Sequence, residues 1–134
     1  MKVIILFVLI VSSAPVYELR GMYKKEKIRV LESNIQMDFR RIALDIMSQA
    51  KKGETESQFT LKCEYQRNGM GLCVKTRNQL LFVSSEKMVK NNLTLYTNKI
   101  VERLKTTFPD STITKLAQCC EYHIDWYNKF QEHP

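Results

Sequence analysis

Between residues 22 and 52 apolar side chains recur at Ile28, Leu31, Ile35, Phe39, Ile42, Ile46 and Ala50, always three or four residues apart. At about 100° per residue these positions fall on one narrow stripe of a helix. A strand, whose side chains repeat every two residues, cannot gather them on one face. A chain with this segment must therefore lay one long helix against something else. Gly53 directly follows Lys51 and Lys52, which fits a glycine that ends the helix, with cations at the negative end of its dipole. Arg29, Arg40 and Lys51, each eleven residues from the next, fall opposite the stripe and form a basic row facing water. Val30, Met37 and Leu44, spaced by seven, lie between the two rows. A helix resting on one sheet needs only one buried face. This second apolar row is therefore either ordinary exposed surface or a face covered by the N-terminal segment or by a second copy, as in a homodimer.

The partner of the stripe is legible further on. Residues 58–66 alternate, with Phe59, Leu61, Cys63 and Tyr65 on one side and Thr60, Lys62, Glu64 and Gln66 on the other, the mark of a half-buried strand. Asn68-Gly69 signals a hairpin, and residues 72–76 form the return strand. A two-residue turn would place Cys63 and Cys73 on opposite faces, and a three-residue loop through Met70 would place them on one face, diagonal to each other. Arg77-Asn78 suggests another tight turn, followed by a third strand over 79–84, apolar enough to be central. Residues 85–97 admit two readings. Either Ser85 caps a helix running to Thr107, or Asn91-Asn92 is a turn and 93–96 a short strand. Residues 98–108 are helical in both, and Pro109 ends them. Residues 112–127 read as one long strand, with Leu116, Cys120, Tyr122, Ile124 and Trp126 on one face and Ala117, Cys119, Glu121, His123 and Asp125 on the other. The expected fold is α+β: a long N-terminal helix packed on an antiparallel sheet of about four strands, with a second helix before the C-terminal strand. Residues 22–127 make a single domain, and 128–134 a polar tail.

The first thirteen residues, MKVIILFVLIVSS, carry one lysine ahead of an unbroken apolar run from Val3 to Val11. With small residues after it, this matches a signal peptide cut after Ser13. The run is too short for a membrane span of about 20 residues. A buried strand and an uncleaved membrane anchor are the alternatives. Export would place the four cysteines, Cys63, Cys73, Cys119 and Cys120, in oxidising surroundings and predicts two disulfides. The connectivity that joins Cys119 to Cys120 is disfavoured as a strained vicinal bond. Asn92-Leu93-Thr94 is an N-glycosylation triplet, which predicts an exposed Asn92.

Lys and Arg number 21 against 14 Asp and Glu, a net charge of +7, so an anionic macromolecule is a plausible partner class. The excess is spread along the chain, and the basic row Arg29, Arg40 and Lys51 is the binding candidate. Specific nucleic-acid readers interleave such charge with exposed aromatics. Phe39, Phe59, Tyr65, Tyr122 and Trp126 instead fall on expected core faces, so nucleic acid is disfavoured against a protein or another polyanion. Glu121, His123 and Asp125 share a strand face and are the weak metal candidates. Side chains two apart on a strand lie about 6.5–7 Å apart along the chain, so two can reach one ion but all need help from another strand. A Cys–His nucleophile pairing Cys73 or Cys119 with His123 would require reduced thiols and conflicts with export. No motif names a reaction and no cofactor is implied. The function expected is that of a secreted, disulfide-stabilised binding protein, non-catalytic, acting through its basic surface. The alternative is an intracellular or membrane-attached structural protein that retains its N-terminal segment.

Overall fold

The structure is a computed structural model that describes residues 18–66, 70–116 and 120–127. The N-terminal segment, the C-terminal tail and Cys119 lie outside the described residues. The elements run α1 (Leu19–Lys51), β1 (Glu56–Gln66), β2 (Met70–Thr76), β3 (Leu80–Phe82), α2 (Glu86–Asn91), α3 (Leu93–Thr107), β4 (Thr112–Lys115) and β5 (Glu121–Asp125). The five strands form one antiparallel sheet in the order β3-β2-β1-β5-β4. The fold is the expected α+β arrangement, with one strand more than anticipated.

Helix α1 has 33 residues, about 50 Å at 1.5 Å per residue. Its end is the glycine termination read from sequence: Gly53 takes φ +87°, its N–H reaches Ala50 O, and the Glu54 N–H reaches Gln49 O. This is the paired bonding of a Schellman motif, which left-handed backbone at this position makes accessible to glycine. The buried face comprises Leu31, Asn34, Ile35, Asp38, Ile42, Ala43, Asp45, Ile46 and Gln49. Two members of the expected stripe are corrected: Ile28, 62% exposed, and Ala50 lie outside the core. Ile28 has the right angle but lies in the part of the helix before Leu31, its first buried residue.

Leu31, Ile35, Ile42 and Ile46 pack on Phe59, Leu61, Leu72, Val74, Tyr122 and Ile124 of the sheet and on Tyr96, Ile100 and Leu104 of α3 in one cluster. Each large side chain fully buried there contributes about 1.5–3 kcal/mol. Phe59 stacks on Tyr122 at 5.3 Å between ring centroids.

Three strand expectations are corrected. Gln66 pairs with Met70, so the connection is residues 67–69, and Cys63 lies directly opposite Cys73. The two are joined in a disulfide with Cα atoms 5.0 Å apart, within the span such bonds need. A register shift between Thr60 and Cys63 moves the later residues of β1 to the other face. Cys63 therefore pairs with Cys73 away from the core cluster, and Tyr65 leaves the core to meet Phe82 edge-on at 5.2 Å. The Cys63–Cys73 pairing was set aside above only because it would leave Cys119 to join Cys120; Cys120 lies buried in the core, and Cys119 lies outside the described residues. Second, β3 is an edge strand, not a central one, with Leu80 and Phe82 exposed. Third, residues 112–127 are not one strand. β4 and β5 are antiparallel partners, with Thr112 opposite Asp125 and Lys115 opposite Tyr122, and Cys120 sits at φ 71° before β5. The register pairs Ile113 with Ile124, so odd positions of β4 and even positions of β5 share the core face. Leu116, expected on the core face with Tyr122 and Ile124, is corrected to the opposite face, where it lines the outer concavity.

Residues 85–97 resolve into neither sequence reading. Both α2 and α3 are helical, broken at Asn92 (φ -132°, ψ 36°). The Asn pair does interrupt the helix, but Tyr96, Ile100 and Leu104 extend one buried face, so the chain re-enters helix after the break.

Under α1 lies a polar cluster. Asp38, 1% exposed, accepts hydrogen bonds from Asn34 Nδ2 at 3.0 Å and from the Tyr96 hydroxyl at 2.7 Å. Ser84 Oγ donates to Asn34 Oδ1 at 2.7 Å, and Arg41, 3.6 Å from Asp38, donates to Phe82 O. One helix is thereby tied to α3, to β3 and to the segment leading into α2. Burial pushes the Asp38 carboxyl above its ordinary value, against the opposing pull of Tyr96, Arg41 and Asn34. Burial beside that carboxylate also drives the Tyr96 phenol strongly upward, so it remains a neutral donor. Outside this cluster, Arg103 of α3 reaches Glu32 and Gln36 of α1, both at 2.8 Å.

Ile42→Ala is expected to cost about 2–5 kcal/mol in urea unfolding. Tyr96→Phe removes a hydrogen bond to a charged acceptor and should cost about 1.5–3 kcal/mol. The fold holds the Asp38 proton more tightly than the unfolded chain does, so this group's contribution falls as pH rises through its raised value. Urea melts from about pH 4 to about pH 7 should therefore show the stability of Asp38→Asn improving relative to the parent as pH rises. A pH-independent difference would contradict the shift.

Candidate functional site

The predicted basic row lies where the helical angle put it. Arg29, Arg40 and Lys51 are all exposed on the face of α1 turned from the sheet. They are not equivalent. Arg29 forms a bidentate pair with Glu26 one turn earlier, and that guanidinium holds the Glu26 carboxyl below its ordinary range. Its charge is largely neutralised at the surface. Arg40 and Lys51 have no ion pair among the described residues and carry the available charge of the row. Beside them, Met37 is 41% and Leu44 60% exposed, while Val30 is half-buried.

The apolar row also extends further than the sequence reading took it. Leu19, Met22 and Tyr23 are exposed in the first turns of α1, and Tyr23 continues the seven-residue spacing of Val30, Met37 and Leu44. Arg20, Lys24, Lys25 and Lys27 stand in the same turns. The signal was present in the spacing, but a stripe search centred on the core face passes over it. Among the described residues no helix is long and apolar enough to cross a membrane.

The sheet presents a second surface. On the face away from α1, Thr60 lies between Lys75 and Glu121, Gln58 beside His123, and Glu56 beside Asp125. A shallow concavity of about 450 Å³ opens here, lined by Glu56, Gln58, Thr60, Lys75, Arg77 and Glu121 among others. Its lining is polar and its mouth wide, unlike the enclosed apolar clefts that hold small ligands.

Glu121, His123 and Asp125 do share one face of β5 as expected, but β1 adds the residue that matters. His123 Nε2 lies 3.1 Å from Glu56 Oε2. One ligand atom each from Glu56, His123 and Asp125 lie within 4.8 Å of one another. Strand pairing brings Glu56 in from 67 residues away, a juxtaposition that no local spacing encodes. Cys73 is oxidised and is removed as a nucleophile for His123; Cys119 lies outside the described residues. Asn92 is half-buried at the break between α2 and α3, not exposed as its triplet suggested, and its Nδ2 donates to Met88 O at 2.9 Å.

These features define a small α+β protein with a hairpin-clasping disulfide, a two-toned helix face and an open polar sheet face among the described residues. No protein-family model matches the chain, and neither a curated protein nor a solved structure matches it significantly.

Because Arg40 is exposed and unpaired among the described residues and Lys51 stands in the last turn of α1, the double variant Arg40→Glu/Lys51→Glu is expected to cost no more than about 0.5 kcal/mol at Arg40 and about 1 kcal/mol at Lys51, where the reversal puts a carboxylate at the negative end of the helix. Its urea midpoint should fall no further than these costs allow. A larger drop would mean that these cations hold the fold together.

Proposed function

We propose that the chain is a secreted, disulfide-stabilised binding protein, non-catalytic, that engages its partner through the outward face of α1. The observation that carries this reading is the pairing, on one exposed helix face, of available cations at Arg40 and Lys51 with exposed apolar side chains at Met37 and Leu44. Such a surface suits an acidic protein or another anionic macromolecule. Charge steers the encounter, and the apolar side chains supply burial once contact is made. Nucleic acid remains less favoured, since the exposed aromatics Tyr23, Phe82 and Tyr127 lie on three separate parts of the chain and not on one stacking platform. Support for export comes from the apolar leader ahead of small residues and the Cys63–Cys73 disulfide.

A second reading is favoured by one observation. The seven-residue row Tyr23, Val30, Met37 and Leu44 resembles the seam of a helix that pairs with another. In that case the chain is an oligomeric or membrane-attached structural protein that keeps its N-terminal segment, and this row is its contact.

Intact-mass analysis of the protein made in a secretory cell line separates the two. Export predicts recovery from the medium, loss of residues 1–13, a glycan on Asn92 and the loss of two hydrogens for each disulfide. A full-length, reduced, cell-retained chain would refute it. For the binding face, retention on immobilised heparin, a polyanion probe, should fall further for Arg40→Glu/Lys51→Glu than for a control of equal charge, Lys62→Glu/Lys75→Glu, on the sheet. Equal losses would show that only net charge matters.

A further inference from the structure

We infer that Glu56, His123 and Asp125 form a binding site for a divalent zinc-class metal ion, which clasps the first residue of β1 to β5. Glu56 and Asp125 are directly opposite across the β1–β5 ladder, and His123 sits one pair along, opposite Gln58. Directly paired residues of an antiparallel ladder point to the same face, as do residues two apart on one strand. Backbone register alone therefore places the three side chains together.

Their donor atoms lie within 4.8 Å of one another, with His123 Nε2 and Glu56 Oε2 at 3.1 Å. Around tetrahedral zinc, bonds of 2.0–2.2 Å put ligand atoms about 3.4 Å apart. The set is preorganised from behind. His123 is 24% exposed and Glu56 59%, so the imidazole is the fixed member. The Asp125 carboxylate accepts the Tyr127 N–H at 2.9 Å. The segment that delivers Glu56 is anchored to the end of β5, where Trp126 donates its backbone N–H to Thr55 O and its indole N–H to Glu54 O.

The donor chemistry selects the ion. One imidazole with two carboxylates suits zinc, cobalt or nickel, whereas magnesium and calcium prefer all-oxygen sets. The ion takes the place of the proton between His123 and Glu56. The imidazole binds as the neutral tautomer protonated on Nδ1, and any displaced proton leaves to solvent. Three protein donors leave the fourth position open to water or to a donor atom from a partner.

The test uses the untagged chain, titrated with zinc by calorimetry and with cobalt by visible absorption. The parent should bind one equivalent of each and unfold at a higher temperature with zinc than with chelator. Glu56→Gln and Asp125→Asn should each weaken binding by about tenfold or more, and His123→Gln by more still. Glu121→Gln, on the same strand face but outside the triad, should change affinity by less than about twofold, and so should His133→Gln in the tail. Circular dichroism establishes that each variant is folded. Absence of saturable binding, unchanged affinity in folded His123→Gln, or a loss in Glu121→Gln equal to that in Glu56→Gln would overturn the proposal. The last result would place the ligands along β5 alone.

Discussion

A helix of about 50 Å is longer than the stretch of it that the sheet and α3 cover. Only Leu31 to Gln49 of α1 reach full burial. The twelve residues before them project with apolar and basic side chains both exposed, and everything else in the molecule is arranged around the half that is covered. The hydrophobic contacts of Ile35, Ile42 and Ile46 are non-directional and would tolerate some sliding. The Asp38 cluster would not. Its bonds to Tyr96 and Asn34, and Asn34's to Ser84, hold at one registration of α1 against α3 and the β3–α2 segment. A buried carboxylate is costly unless its oxygens are satisfied, so this cluster converts a greasy contact into a positioned one.

Because that side of the sheet is occupied, the other side is where the chain meets solvent. The shift in β1 between Thr60 and Cys63 divides this outer face in two. Toward the hairpin it carries the Cys63–Cys73 bond and the Tyr65–Phe82 contact; toward the β5 side it carries the polar row ending at Glu56, His123 and Asp125. The bulge thus marks the boundary between a disulfide-clasped region and an open polar one. The basic helix face lies across the sheet from both, so a partner held on α1 leaves the outer sheet face accessible.

Much of this was legible in the residues. Strong periodicity made α1 and β1 visible, and Gly53 after two lysines marked the helix end. Tyr122 and Ile124 alternated as core residues should. What was missed has physical causes. A buried Asp38 resembles any exposed aspartate in a one-dimensional pattern, since its partner Tyr96, and the Ser84 that holds its neighbour Asn34, arrive from distant segments. The alternation of Tyr122, Ile124 and Trp126 holds only within and just after β5, and extending it back to Leu116 runs over a turn at which the core-facing parity changes. The edge position of β3 was hidden because apolar content signals burial of some kind but not strand order. For the candidate site, His123 and Asp125 were found from their spacing and Glu56 was not. Its nearness to them depends on strand pairing across 67 residues of chain.

The sequence by itself determined the long helix and its end at Gly53, the extended character of β1, β2 and β5, the core face of α1, and that this helix carries cations away from its core stripe. Those properties follow from backbone periods of 3.6 and 2, which local residues are sufficient to express. The tertiary structure alone decided strand order, the partner of Cys63, the burial of Asp38 and the meeting of Glu56 with His123. Each depends on a contact between segments far apart in the chain, and such contacts are selected by the packing of the whole core and by no local pattern.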